Sequence, residues 1–244
     1  GAGVTSATQR WRLDIGYDGT DFRGWASQPN LRTVQGELEG WLTRLLRRPD
    51  PVQLTVAGRT DAGVHARAQV AHLDVALDCE PSPADLAPRL RRVLPHDVAV
   101  RSVTAVGDDF DARFSALWRR YCYRVWDDCS EPDPIRRRDV ATIRGTLDLT
   151  SVNAAGASLL GLRDFAPFSK HREGATTIRQ LTALHAARLH DECGTVVFTV
   201  QADAFTHSMV RSLVGALTAV GTGRRDQAWL DRVVIRQLGM ETSP

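Results

Sequence analysis

The chain has 244 residues, with 31 basic and 29 acidic side chains and a net charge of +2. That length suits one large domain or two small ones and is ample for a buried core. No apolar stretch approaches the ~20 residues that a membrane span needs, and no charged-then-apolar leader precedes the first strand, so neither an integral membrane protein nor a secreted one is expected. The four cysteines, Cys79, Cys122, Cys129 and Cys193, show no CxxC spacing, which argues against structural zinc or a disulfide framework and for reduced thiols in the cytoplasm. All but one of the basic residues are arginine, Lys170 being the exception, and guanidinium forks suit phosphate oxygens and base edges. An arginine-favouring codon usage is the plainer source of this excess. Clustering at Arg47-Arg48, Arg91-Arg92, Arg119-Arg120, Arg136-Arg137-Arg138 and Arg224-Arg225 tilts it toward nucleic acid.

Residues 1–10 read as a disordered or tag-derived start. Residues 11–17 alternate strictly and predict a half-buried strand, closed by the turn Asp18-Gly19. Over residues 33–48 the spacing turns helical: Val34, Leu38, Trp41, Leu42, Leu45 and Leu46 share a face, Thr33 can cap, and Pro49 follows. A short strand at 54–56 leads into a Gly-rich loop, and a second alternating strand covers 70–75. Ser82-Pro83-Ala84-Asp85 opens a helix that carries Leu86, Leu90, Val93 and Leu94 inward and ends before Pro95. Residues 98–103 form a further strand.

The second half repeats the plan. A strand at 117–126 is followed by a charged connection over 127–140 and a helix over 151–160 capped by Thr150. Strands at 177–189 and 195–202 flank the turn at Asp191–Gly194. Residues 205–220 form the clearest helix, with Phe205, Met209, Val210, Leu213, Leu217 and Val220 in one stripe and Gly221 as its stop. A last helix covers 226–237. Hairpin-like strand pairs favour mixed or antiparallel sheets, hence an α+β architecture of two similar halves, 11–105 with the Gly-rich loop and 106–244.

That loop, Gly58-Arg59-Thr60-Asp61-Ala62-Gly63-Val64-His65, carries the chemistry. Glycines around a carboxylate let the backbone turn sharply and present Asp61 at the mouth of a cleft, where a neighbouring guanidinium favours its ionised form as nucleophile or base. A plain loop in which Asp61 caps its own turn is the competing reading on chemistry alone. No Lys-Ser/Thr follows the glycines, so a P-loop is excluded. His65 and His72 with Asp74 fit no compact metal-ligand spacing. Tyr121 and Tyr123 share a strand face, which by itself reads as core. Arg211 follows Met209 in an apolar stripe, which counts against a solvated position.

The loop resembles the active-site signature of the TruA family of tRNA pseudouridine synthases. So do Tyr17-Asp18-Gly19-Thr20 with Gly24-Trp25 and Gln28, Val34-Gln35-Gly36-Glu37-Leu38-Glu39, and Asp109-Phe110-Asp111-Ala112-Arg113-Phe114-Ser115-Ala116. Arg119-Arg120-Tyr121-Cys122-Tyr123 and Ala204-Phe205-Thr206-His207-Ser208-Met209-Val210-Arg211 with Val214-Gly215 complete the series, in family order over about residues 11–225. The resemblance implies the pseudouridine synthase fold, in which the two halves join one continuous sheet with helices on one side. It also implies isomerisation of uridine to pseudouridine at the 3′ end of the anticodon loop and in the adjoining stem of tRNA. Since no atoms are gained or lost, neither a cofactor nor a metal is expected.

By the same resemblance Asp61 is the essential carboxylate, acting either on the ribose carbon or on a ribose proton. Arg59 and Arg211 are its catalytic partners and take the space vacated by the flipped nucleotide. Tyr121 stacks on the uracil, and Arg59, Phe205 and His207 bind substrate beside it. The arginine pairs would hold phosphates, and the family works as a homodimer in which one tRNA touches both subunits. The family continues past its last helix into a Gly-Leu segment flooring the pocket, whereas this sequence ends Gly239-Met240-Glu241-Thr242-Ser243-Pro244. That departure sustains a second reading, a non-catalytic RNA-binding protein or tRNA chaperone on the same scaffold.

Overall fold

The computed structural model describes residues 7–115, 118–170 and 173–241, with no side-chain placement from 236 onward. The chain divides into two compact units, one reaching to Leu117 and the other starting at Trp118.

In the first unit the order is β1 (Thr8–Tyr17), α1 (Val34–Leu45), β2 (Thr55–Val56), β3 (Ala66–Ala76), α2 (Pro83–Val93) and β4 (Val98–Val106). The strands form an antiparallel sheet in the order β2-β3-β1-β4. β1 starts at Thr8, inside the stretch that the sequence left outside the fold. Its alternation sets the layers: Trp11, Leu13, Ile15 and Tyr17 face the core, while Arg10, Arg12 and Asp14 are half-buried on the other face. Both helices cover the core face, α1 through Val34, Leu38 and Leu42 and α2 through Leu86 and Leu90. Their starts are chemically capped as the sequence indicates. Thr33 accepts the Gly36 N–H (3.1 Å), and Ser82 accepts that of Asp85 with Pro83 in the first turn.

The second unit holds β5 (Arg119–Trp126), β6 (Ala141–Thr142), α3 (Leu149–Ser158), β7 (Gly161–Asp164), β8 (Ile178–Arg188), β9 (Val196–Ala202), α4 (Met209–Gly221) and α5 (Gln227–Glu241). Its sheet runs β6-β5-β9-β8-β7 and is mixed, since β6 pairs parallel to β5. Val196, Phe198, Val200 and Ala202 of β9 pack inward against Leu184 and Ala186 of β8 and the apolar faces of α3 and α4.

Strand pairing among the described residues gives one sheet of four strands in the first unit and one of five in the second. After Val106 the chain turns at Gly107 and crosses its own sheet, where His72 Nδ1 accepts the Ala112 N–H (2.9 Å) and a 3-10 turn forms at Ala112–Phe114. That crossing segment packs against β2 and β3 and belongs to the first unit. Several expectations need correction. α3 is capped by Asp148, whose carboxylate accepts the Thr150 N–H (3.1 Å), not by Thr150. α4 begins at Met209 because Ser208 takes φ +63, so Phe205 and His207 lie before the helix, and Gly221 is its last residue rather than its stop. β6 and β7 were not anticipated; both are too short for a periodic signal.

One buried ion pair ties the second sheet together. Asp127, fully buried after β5, accepts two hydrogen bonds from Arg188 on β8 (2.7 and 3.0 Å), the Leu147 N–H (2.9 Å) and the Ser130 hydroxyl (3.1 Å). Burial alone would raise its pKa, but these donors overcome it and hold the carboxyl at about 2. Its stabilising contribution is therefore present above the ordinary carboxylate value of 3.8 and is lost as pH falls through about 2. Removing one partner strands the other, so Asp127→Ala is expected to lower the unfolding free energy by about 3 kcal/mol in urea titration at neutral pH. A change within about 0.5 kcal/mol, the scale of an ordinary surface substitution, would contradict this.

Candidate active site

Asp61 lies in the first unit, in the loop from β2 to β3. Thr60 is buried, whereas its neighbours Arg59 and Asp61 are exposed. Three buried polar side chains fix the inner side. The Tyr17 hydroxyl and Thr60 Oγ1 share a hydrogen bond of 2.6 Å, and Gln69 Nε2 donates to Gly58 O (2.7 Å) and to the Tyr17 hydroxyl (3.3 Å).

The outer side is held by the loop after β1. The Trp25 N–H donates to Thr60 O (3.0 Å), and the Gly63 N–H donates to Phe22 O (3.3 Å). A turn closes from Asp61 O to the Val64 N–H (3.2 Å), with Gly63 at φ +79 as the glycine spacing suggests. Gly19 crosses so closely that a Cβ there would sit 2.0 Å from Val64 O, and its N–H donates to His65 Nδ1 (2.9 Å). His65 thus clamps the two loops. The polar faces of His72 and Asp74 are also taken up within the protein. His72 holds the crossing segment, and Asp74 receives Arg10 in two bonds (2.8 and 3.0 Å). No group of three or more His, Cys, Asp or Glu among the described residues could hold a metal ion.

The remaining candidates belong to the second unit. Tyr121 pairs with Val200 across β5 and β9, which puts it on the helix-covered face, yet it is half-buried at the rim rather than in the core. Phe205 meets it edge-to-face, with ring centroids 5.0 Å apart and planes at 82°. The segment carrying Phe205 is anchored by a short hydrogen bond between the Thr206 and Ser169 hydroxyls and by the Lys170 N–H donating to His207 O (3.0 Å). Arg211 stands in the first turn of α4. It is exposed, contrary to the expectation from its apolar stripe, because it lies on the opposite side of the helix from Leu213 and Leu217.

The structure therefore brings Arg59 and Asp61 together on one loop, and Tyr121 and Phe205 together in one aromatic pair. The sequence reading missed the supporting roles of Tyr17, Thr60 and Gln69. The one visible signal was a glutamine at an inward position of a strand, paired with Ile15. The expected difference at the C-terminal end, Gly239–Pro244, falls on residues 239–241, whose side chains are not described, and on 242–244, which lie outside the described residues.

A family model for tRNA pseudouridine synthase matches residues 15–115 and 155–241. The chain is also similar to proteins named tRNA pseudouridine synthase A. The one from Cutibacterium acnes is 66% identical over 224 residues, 92% of this chain and 80% of the relative. That from Frankia casuarinae is 49% identical over 96% of this chain and 83% of its own length. For Streptomyces griseus the identity is 51%, over 90% of this chain and 78% of the relative.

Burial first, and then the nearby Arg10 charge, push the His72 imidazole below its ordinary value of 6.5. The unfolded chain takes up this proton first as pH falls. The contribution of neutral His72 to stability is thus complete above about pH 6.5 and is lost as pH falls through its lower native value. The melting temperature of wild type should fall from about pH 7.5 to about pH 5.5 more steeply than that of His72→Asn, whose amide oxygen can accept the Ala112 N–H without titrating. Parallel profiles would contradict the assignment.

Proposed function

This chain belongs to the tRNA pseudouridine synthase family, and we propose that it isomerises uridine to pseudouridine in the anticodon arm of tRNA, at the 3′ end of the loop and in the adjoining stem. The observation that carries this reading is the exposed Asp61 on a loop whose backbone is hydrogen-bonded from both sides, within the residues that the family model matches.

The reaction breaks the bond between uracil N1 and the ribose C1′ and joins C5 to that same carbon. The C5 proton leaves and N1 is protonated, so atoms balance without a co-reactant. Asp61, as a carboxylate, either attacks C1′ or takes a ribose proton. Both routes need an exposed, fixed anion, which the loop supplies. Arg59, one residue beyond the buried Thr60, offers a guanidinium on the same exposed side. Arg211 is the second catalytic arginine, and its exposure suits contact with a nucleotide removed from its stack.

The Tyr121–Phe205 pair supplies a flat aromatic face for the uracil, with the tyrosine phenol able to relay the C5 proton. His207 binds substrate next to them. Exposed arginine pairs such as Arg47-Arg48, Arg91-Arg92 and Arg224-Arg225 suit phosphate oxygens of the RNA. The working form is a cytoplasmic homodimer that uses neither a cofactor nor a metal.

The test is pseudouridine formation in unmodified tRNA transcript by wild type and Asp61→Asn side by side. Wild type should convert anticodon-arm uridines, and the variant, which keeps the shape and removes the charge, should fall by at least about 10³-fold. RNA binding without product from either protein would favour the non-catalytic RNA-binding reading.

A further inference from the structure

The geometry points to Tyr17, Thr60 and Gln69 as positioning residues for Asp61, a role that rests on the reading of Asp61 as the catalytic carboxylate. The three side chains are each at least nine-tenths buried, at 6%, 8% and 8% exposure. They join strands β1 and β3 to the loop at two points, the Gly58 carbonyl and the Thr60 hydroxyl, which flank Arg59 and stop one residue short of Asp61. Buried polar groups are costly to place in a core, where an apolar residue would stabilise it more simply. Here their donors and acceptors meet one another and the loop backbone.

The bonds have a definite direction of effect. Thr60 Oγ1 fixes the peptide whose next Cα bears the Asp61 carboxylate, and the Trp25 N–H holds the same residue's carbonyl from the other side. If Thr60 shifts or rotates, Asp61 moves with it. A displacement of about 1 Å at a reacting group costs on the order of a hundredfold in rate while leaving remote binding contacts intact. Phosphate contacts elsewhere on the surface would still hold the RNA. Loss of this network should therefore appear in turnover, not in affinity.

The experiment measures kcat and KM for tRNA in wild type, Tyr17→Phe, Thr60→Val, Thr60→Ser and the Tyr17→Phe/Thr60→Val double variant, with Asp61→Asn alongside. Tyr17→Phe and Thr60→Val should each lower kcat by roughly tenfold or more with KM within about twofold. Thr60→Ser, which keeps the hydroxyl, should stay within about threefold of wild type, and the double variant should lose no more than the worse single one. If Thr60→Val fails to fold, Tyr17→Phe, which keeps the ring packing, decides the matter. Turnover within about twofold of wild type for Tyr17→Phe and Thr60→Val, or a loss confined to KM, would overturn the positioning role. Activity surviving in Asp61→Asn would instead overturn the catalytic reading, so the two failures are distinguishable.

Discussion

The Tyr17–Thr60 hydrogen bond, 2.6 Å long and buried, is the constraint on which the reading of this molecule depends. Thr60 is the buried residue, and Arg59 and Asp61 are the exposed ones. The strand that supplies Tyr17 also supplies Trp11, Leu13 and Ile15 to the core, so the loop is tied to the buried core of the unit. Gln69 adds a second tie from β3, and the loop after β1 closes over the outside through Gly19, Phe22 and Trp25. An exposed carboxylate on an otherwise pinned loop meets two needs of the proposed chemistry, accessibility to RNA and a fixed direction of approach.

In the second unit Tyr121 stands half-buried at the rim of a sheet face whose centre is filled by Phe198 and Val200. Phe205 fixes its tilt. The chain reaches Phe205 through a segment stopped from being helical by Ser208 at φ +63 and anchored by Thr206 and His207. The Asp127–Arg188 pair holds the ends of β5 and β8 well away from these residues in sequence, and its role is structural.

Much of this was legible in the amino-acid sequence because it is local. The caps at Thr33 and Ser82, the helical stripe of α1 and the alternation of β1 are each written in one short run of neighbouring residues. Asp61 was legible as a motif, and its catalytic reading comes from resemblance rather than from spacing. What could not be read depends on distant partners. Asp148, two residues before Thr150, takes the cap, and Ser208 breaks a stripe that periodicity carries straight through. The crossing of residues 107–115 over the first sheet depends on His72, forty residues earlier in the chain. Arg211 looked inward by its neighbours and lies outward because a helix has two faces.

The central claim is that this protein moves the uracil of anticodon-arm uridines from N1 to C5, and the C5 hydrogen is the atom that reports it. Single-turnover release of tritium from tRNA labelled at C5 of those uridines alone is the most direct measurement. The account predicts one tritium released per pseudouridine formed, with none from tRNA labelled only in the other arms. Tight binding of the labelled tRNA with no release would contradict it.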